Sequence, residues 1–204
     1  MKTKHLVAAA LLAVVATAVP ARAQVGKSLG VVDANTAPEK DLLAMPHMTP
    51  AIVKGLLEKR PFASILDLNA YLLSQKLTQE QANAFYGKAF VHINLNTATP
   101  AEILLVPGAG KRMVREFDEY RPWKTYGQFD KEIGKYVGAE ATAKLAQYTF
   151  IPMNANTATD ADLLTVPGAD QAWVEKVKKG RPYKAAADLE KVAGKAQARF
   201  FVIE

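Results

Sequence analysis

Cysteine is missing from this chain altogether. No disulfide framework can form, and no thiol is available for a lipoprotein anchor, so each folded part must be held by its apolar core alone. Histidine is scarce: His5 sits near the start, and His47 and His92 stand apart from any clustered set of metal ligands. That leaves metal catalysis without support, and no cofactor is implied. Strand-like alternation is nearly absent, so the expected fold class is all-α. No Ser-His-Asp arrangement is recognisable, and Gly110-Lys111-Arg112 lacks the Gly-Lys-Ser/Thr order of a phosphate-cradling loop, which points away from an enzyme.

An excess of one charge is also missing once the start of the chain is set aside. Residues 1–23 combine Lys2 and Lys4, an apolar stretch of 14 residues from Leu6 to Val19, and Ala21-Arg22-Ala23. This is the pattern of a cleaved secretory signal peptide, and it is shorter than the roughly 20 apolar residues of a spanning helix. Cleavage before Gln24 would leave 23 basic and 20 acidic side chains, a net charge of +3. They divide as 7 against 6 in residues 24–91, 8 against 7 in 92–151 and 8 against 7 in 152–204. A strongly basic nucleic-acid-binding domain would carry more. Export without cysteine favours a bacterial periplasm.

What the chain does have is a threefold internal repeat. Asn35-Thr36-Ala37, Asn96-Thr97-Ala98 and Asn156-Thr157-Ala158 are each followed by a Pro eleven residues after the Asn, at Pro46, Pro107 and Pro167. Each copy then reaches Arg60-Pro61-Phe62, Arg121-Pro122-Trp123 or Arg181-Pro182-Tyr183, with the Arg 25 residues after the Asn. A period of 60 to 61 residues kept without gaps predicts an array of one structural unit, with boundaries at 24–91, 92–151 and a shortened 152–204.

Within a copy the signals are helical. Thr99, Pro100 and Glu102 predict a capped helix start, Thr159 and Asp162 repeat it, and Ala37-Pro38 is a weaker version. The pairs Leu42-Leu43, Ile103-Leu104 and Leu163-Leu164 are expected to face inward, and the Met/Val-Pro dipeptide ends the helix. A second helix follows, with Ile52, Val53, Leu56 and Leu57, or Met113, Val114 and Phe117, or Trp173, Val174 and Val177 on one face. Arg60, Arg121 and Arg181 read as favourable charges at its C-terminus, and Phe62, Trp123 and Tyr183 as core aromatics. Further amphipathic stretches at 78–90 and 138–150 give four short helices per full copy, with a truncated remnant at 192–204. Units this small gain stability by stacking on their neighbours.

The sequence Asn-Thr-Ala, then a hydrophobic-Pro-Gly-hydrophobic-Gly turn, then a helix ending in Arg resembles the helix-hairpin-helix family. It is similar in particular to ComEA-type exported proteins of DNA uptake and to small exported relatives with a Gly-Arg-Pro-Tyr turn, here Gly180-Arg181-Pro182-Tyr183. The resemblance spans residues 33 to about 200. It implies sequence-independent contact with DNA phosphates. Glycines flanking the turn let backbone amides approach a phosphate, and the following helix contributes the positive end of its dipole. Only the second copy has the full set: Gly108, Ala109 and Gly110, then Lys111, Arg112 and Arg115.

The other copies depart from the pattern. Copy one has His47-Met48-Thr49 in place of the turn and Pro50 after it; copy three has Asp170 where the second Gly belongs. A single hairpin neutralising about two phosphates would bind weakly, so further basic surface is needed, and Lys176, Lys178, Lys179, Arg181 and Lys184 form the densest cluster. The expectation is a non-catalytic exported protein whose partner is DNA, bound non-specifically. The alternative is an envelope scaffold that binds another protein. A glycosylase-like reading would pair Lys111 with Asp130, yet these units lack a domain able to enclose a flipped base.

Overall fold

Side-chain caps at the helix starts and a backbone clasp that recurs three times organise the fold. The computed structural model describes residues 24–204, so the expected signal peptide at 1–23 lies outside the described residues. In copy one, strand β1 (Val32–Asp33) leads to helices α1 (Glu39–Leu43), α2 (Pro50–Lys59), α3 (Ile65–Ser74) and α4 (Gln79–Tyr86), then strand β2 (Ala89–Phe90). Copy two runs β3 (Ile93–Asn94), α5 (Pro100–Leu104), α6 (Lys111–Glu119), α7 (Tyr126–Ala146) and β4 (Thr149–Phe150). Copy three runs β5 (Met153–Asn154), α8 (Asp160–Leu163), α9 (Gln171–Lys179), α10 (Ala186–Ala193), α11 (Lys195–Ala198) and β6 (Phe201–Val202).

The molecule is mostly helical, with one addition the sequence did not announce: the first and last strands of each copy pair in parallel, β1 with β2, β3 with β4 and β5 with β6. Two-residue strands carry too little alternation to read from sequence. In α7 a positive φ of 78° at Gly138 interrupts the helical path, giving copy two its four helical pieces. Copy three keeps all four at reduced length.

Helix starts follow the sequence. Thr99 with Glu102 and Thr159 with Asp162 form reciprocal capping boxes, and Ser64 with Asp67 and Thr78 with Gln81 do the same on α3 and α4. Each satisfies two amides that a helix end would leave bare. In copy one Pro38, rather than Ala37, occupies the cap position, with no side-chain cap.

The repeated Asn and Arg have a structural role. The Asn96 side chain accepts from the Trp123 amide at 2.6 Å and donates to the Trp123 carbonyl at 3.0 Å. Asn35 clasps Phe62 and Asn156 clasps Tyr183 in the same way. Arg121 donates to the carbonyls of Leu95 and Ala98, and Arg181 to those of Ala155 and Ala158. The guanidinium thus ties the end of the second helix back to the Asn-Thr-Ala segment, which is more than a charge at a helix terminus. Each of the three Arg-Pro bonds is cis. Phe62, Trp123 and Tyr183 are buried.

One expectation is corrected. In each apolar pair of the first helix only the first member is buried: Leu42, Ile103 and Leu163 point inward, whereas Leu43, Leu104 and Leu164 are 40%, 48% and 47% exposed. Helices this short offer one inward position per turn, and adjacent residues lie about 100° apart around the axis.

Copies one and two share a single continuous apolar core, running from Val31 to Ile151 and including Phe85, Tyr86, Phe90 and Tyr148. Copy three has its own core, joined by Val25 and Phe150. The leading segment crosses to it: Val25 bridges Phe150, and the Gly26 amide donates to the Thr149 carbonyl. A Cβ on Gly26 would lie 1.8 Å from the Ala146 carbonyl oxygen, so only glycine fits this crossing.

Candidate nucleic-acid interface

The turn of copy two is built by Val106, which is buried and anchors it, and by Gly108, whose φ of 86° favours glycine, although His47 holds a positive φ at the same place in copy one. The Ala109 amide donates to the Val106 carbonyl at 2.9 Å and closes the bend. Gly110 then caps α6 with extended backbone, at φ −107° and ψ −175°, and no side-chain cap bond. Neither conformation nor packing demands glycine there, because a Cβ on Gly110 would meet nothing within 4 Å. What the missing side chain leaves is a bare surface over the first amides of α6.

Gly108, Gly110, Lys111, Arg112 and Arg115 are all solvent-exposed, and Ala109 is half-buried against the core. The six expected site residues are therefore brought together. Their charge is partly offset by a residue that the sequence reading missed. Glu116 is only 2% exposed; Arg115 Nη2 lies 3.0 Å from its Oε1 and Arg112 Nε 3.7 Å. The Arg115 hydrogen bond holds the Glu116 carboxyl below its usual range against the opposing effect of desolvation. The Arg112 guanidinium also stacks 4.3 Å from the Tyr136 ring centroid. The position of Glu116 four residues after Arg112 was the available signal. Lys111 has no ion-pair partner among the described residues.

The turns of copies one and three are closed from within. Thr49 Oγ1 accepts from the Ile52 amide at 3.3 Å, and Pro50 removes another donor. Asp170 Oδ1 accepts from the Trp173 amide at 2.7 Å, so copy three supplies its own anion to its helix start. The turn of copy three also packs on copy one, since a Cβ on Gly168 would lie 3.4 Å from the Thr36 Cβ.

The basic cluster of copy three is exposed at Lys176, Lys178, Lys179 and Lys184. Lys178 pairs with Asp160 at 2.6 Å, and Arg181 is committed to the clasp. Asp130 lies exposed on α7. Among the described residues no cluster of His, Cys, Asp or Glu is arranged to hold a metal, and no helix is long and apolar enough to cross a membrane.

Comparison with known proteins returned no match to a family model, a curated protein or a solved structure.

Proposed function

We propose that this chain is a tandem array of three helix-hairpin-helix units, exported to the periplasm, and that it binds DNA without sequence preference and without catalysis. The contact is made by Gly108, Ala109, Gly110, Lys111, Arg112 and Arg115 against backbone phosphates. The observation that carries this reading is Gly110: it has no conformational or packing reason to be glycine, and it leaves the start of α6 uncapped beside Lys111. A phosphate oxygen placed there would take up amide donors that Thr49 and Asp170 occupy in the other copies.

Glu116 offsets one of the three nearby cations, which limits the hairpin to about two phosphates and a slope of log K against log salt of about −2. The test is fluorescence anisotropy of labelled duplex DNA at about 50 and 200 mM salt. Binding at low salt that Lys111→Glu with Arg112→Glu removes supports the reading. Absence of binding at low salt, or binding indifferent to that pair of changes, overturns it.

A second reading, an envelope protein that docks another protein, rests on Leu43, Leu104 and Leu164. All three copies keep an exposed leucine at this place, including the two whose turns are capped from within. An apolar anchor repeated where phosphate chemistry is not suits a protein partner.

A further inference from the structure

Where copy three folds back towards copy one, an open cavity of about 680 Å³ lies between β1, the segment 25–28 and the turn of copy three. Its walls are mostly apolar, with Val25, Val31, Ala37 and Pro167 among them. The volume falls in the range of small-molecule sites. Two buried polar side chains line it as well: Asp33 and His92, each 3% exposed.

The turn itself does not call for this pair. Asp33 Oδ1 accepts from the Asn35 amide, a turn-closing bond that Asn94 makes to Asn96 and Asn154 makes to Asn156. An amide therefore meets the need of the turn in the other two copies, whereas the carboxylate here also faces His92 and the charges of Arg199 and Arg60. Asp33 Oδ2 lies 2.8 Å from His92 Nδ1. Burial alone would raise the Asp33 carboxyl, but the His92 ring, the Arg199 charge and the Asn35 amide outweigh it and hold it below its usual range. A carboxylate oxygen at this distance faces a protonated Nδ1, and in the tautomer that carries its proton there Nε2 is the nitrogen free to accept. Nε2 has no hydrogen-bond partner among the described residues.

We infer that this cavity is a binding site for a small, mainly apolar molecule carrying one hydroxyl donor, such as a phenol or an alcohol, whose O–H is accepted by His92 Nε2. The apolar body fills the space between Val31 and Pro167, and Asp33 sets the tautomer that receives the hydroxyl. The turn of copy three is thereby a wall of a pocket, consistent with its helix start being occupied by Asp170. The site is separate from the second hairpin and does not depend on the DNA reading.

The experiment titrates the protein with naphthol, and in parallel with naphthoate, while following backbone amides and the histidine ring nitrogens by NMR. The expected result is saturable naphthol binding that shifts His92 Nε2 and the amides of Thr36 and Gly168, with naphthoate weaker. Because His92→Phe alone would strand a buried carboxylate, the decisive variant is Asp33→Asn with His92→Phe, which restores the amide found in the other copies. It also takes the facing carboxylate from Arg199, so its fold is checked in the same amide spectra, and it should weaken naphthol about tenfold, the size of one hydrogen bond. Three results overturn the proposal: no saturable naphthol binding, equal binding by the folded double variant, or a preference for naphthoate, which would make the ring a donor to an anion.

Discussion

The second and third turns share a backbone and differ in what covers the start of the next helix. Both close through the same amide-to-carbonyl bond, from Ala109 to Val106 and from Ala169 to Val166. Copy two then presents Gly110, exposed and uncapped; copy three presents Asp170, whose carboxylate already occupies the amide that an outside anion would seek. Copy two also belongs to the core it shares with copy one, whereas copy three holds a separate core and leans on copy one through Gly168 and on His92 of copy two through Arg199. One scaffold thus serves two ends. The helix start is bare where the turn faces solvent and self-capped where the turn packs on another copy.

The largest expected effect tests the two cores. Trp123→Ala removes a fully buried ring and its Nε1 bond to the Phe117 carbonyl, and should cost about 3–5 kcal/mol, loosening copies one and two together. Tyr183→Ala should loosen copy three while leaving the shared core protected. Amide hydrogen exchange mapped by copy checks both, and uniform loss of protection in either variant would break the distinction. Next in size is the clasp. Asn96→Ala and Asn156→Ala each remove a pair of bonds to a backbone amide and carbonyl, and each should cost about 2 kcal/mol in denaturant melts. Unequal losses would show that the scaffold is not equivalent in the two copies.

The reciprocal exchange of caps sharpens the comparison itself. Gly110→Asp should abolish the salt-dependent part of duplex binding while adding up to about 1 kcal/mol of stability, and Asp170→Gly should lower stability by a few tenths of a kcal/mol. Anisotropy and melting on the same samples check it. DNA binding untouched by Gly110→Asp would remove the functional difference between the turns.

The smallest effect is in acid. Asp33 is depressed below its ordinary carboxylate value, so its contribution to stability is complete above about pH 4 and is lost as the pH falls through the lowered folded value. The groups that act on its charge are His92, Arg199 and Arg60. Stability of the wild type should therefore fall more steeply below pH 4 than that of Asp33→Asn, measured by melting across a pH series.

Much of the helical pattern was legible because its signals are local. A cap is written over four residues, and Thr99-Glu102 and Thr159-Asp162 form the boxes their spacing predicts. The exposure of Lys111, Arg112 and Arg115 was in reach for the same reason, and Glu116 could have been found by helical spacing. The outward turn of Leu43, Leu104 and Leu164 was not, since two adjacent leucines carry no indication of which one the core will take. The parallel strand pairs were invisible because each is two residues long and joins the ends of a copy.

By itself, the sequence determined the repeat and, through its fixed intervals, the clasp from Asn to the aromatic backbone and from Arg to the carbonyls beside the Asn. These bonds recur because the intervals recur. Only the tertiary structure decided which turn is open, which is covered, and that Asp33, His92 and Arg199 meet although 59 and 107 residues separate the partners. The reason is physical: bonds within a unit follow from local geometry, whereas docking between units depends on which apolar and charged surfaces remain after each unit has folded, and no periodicity in the chain records that remainder.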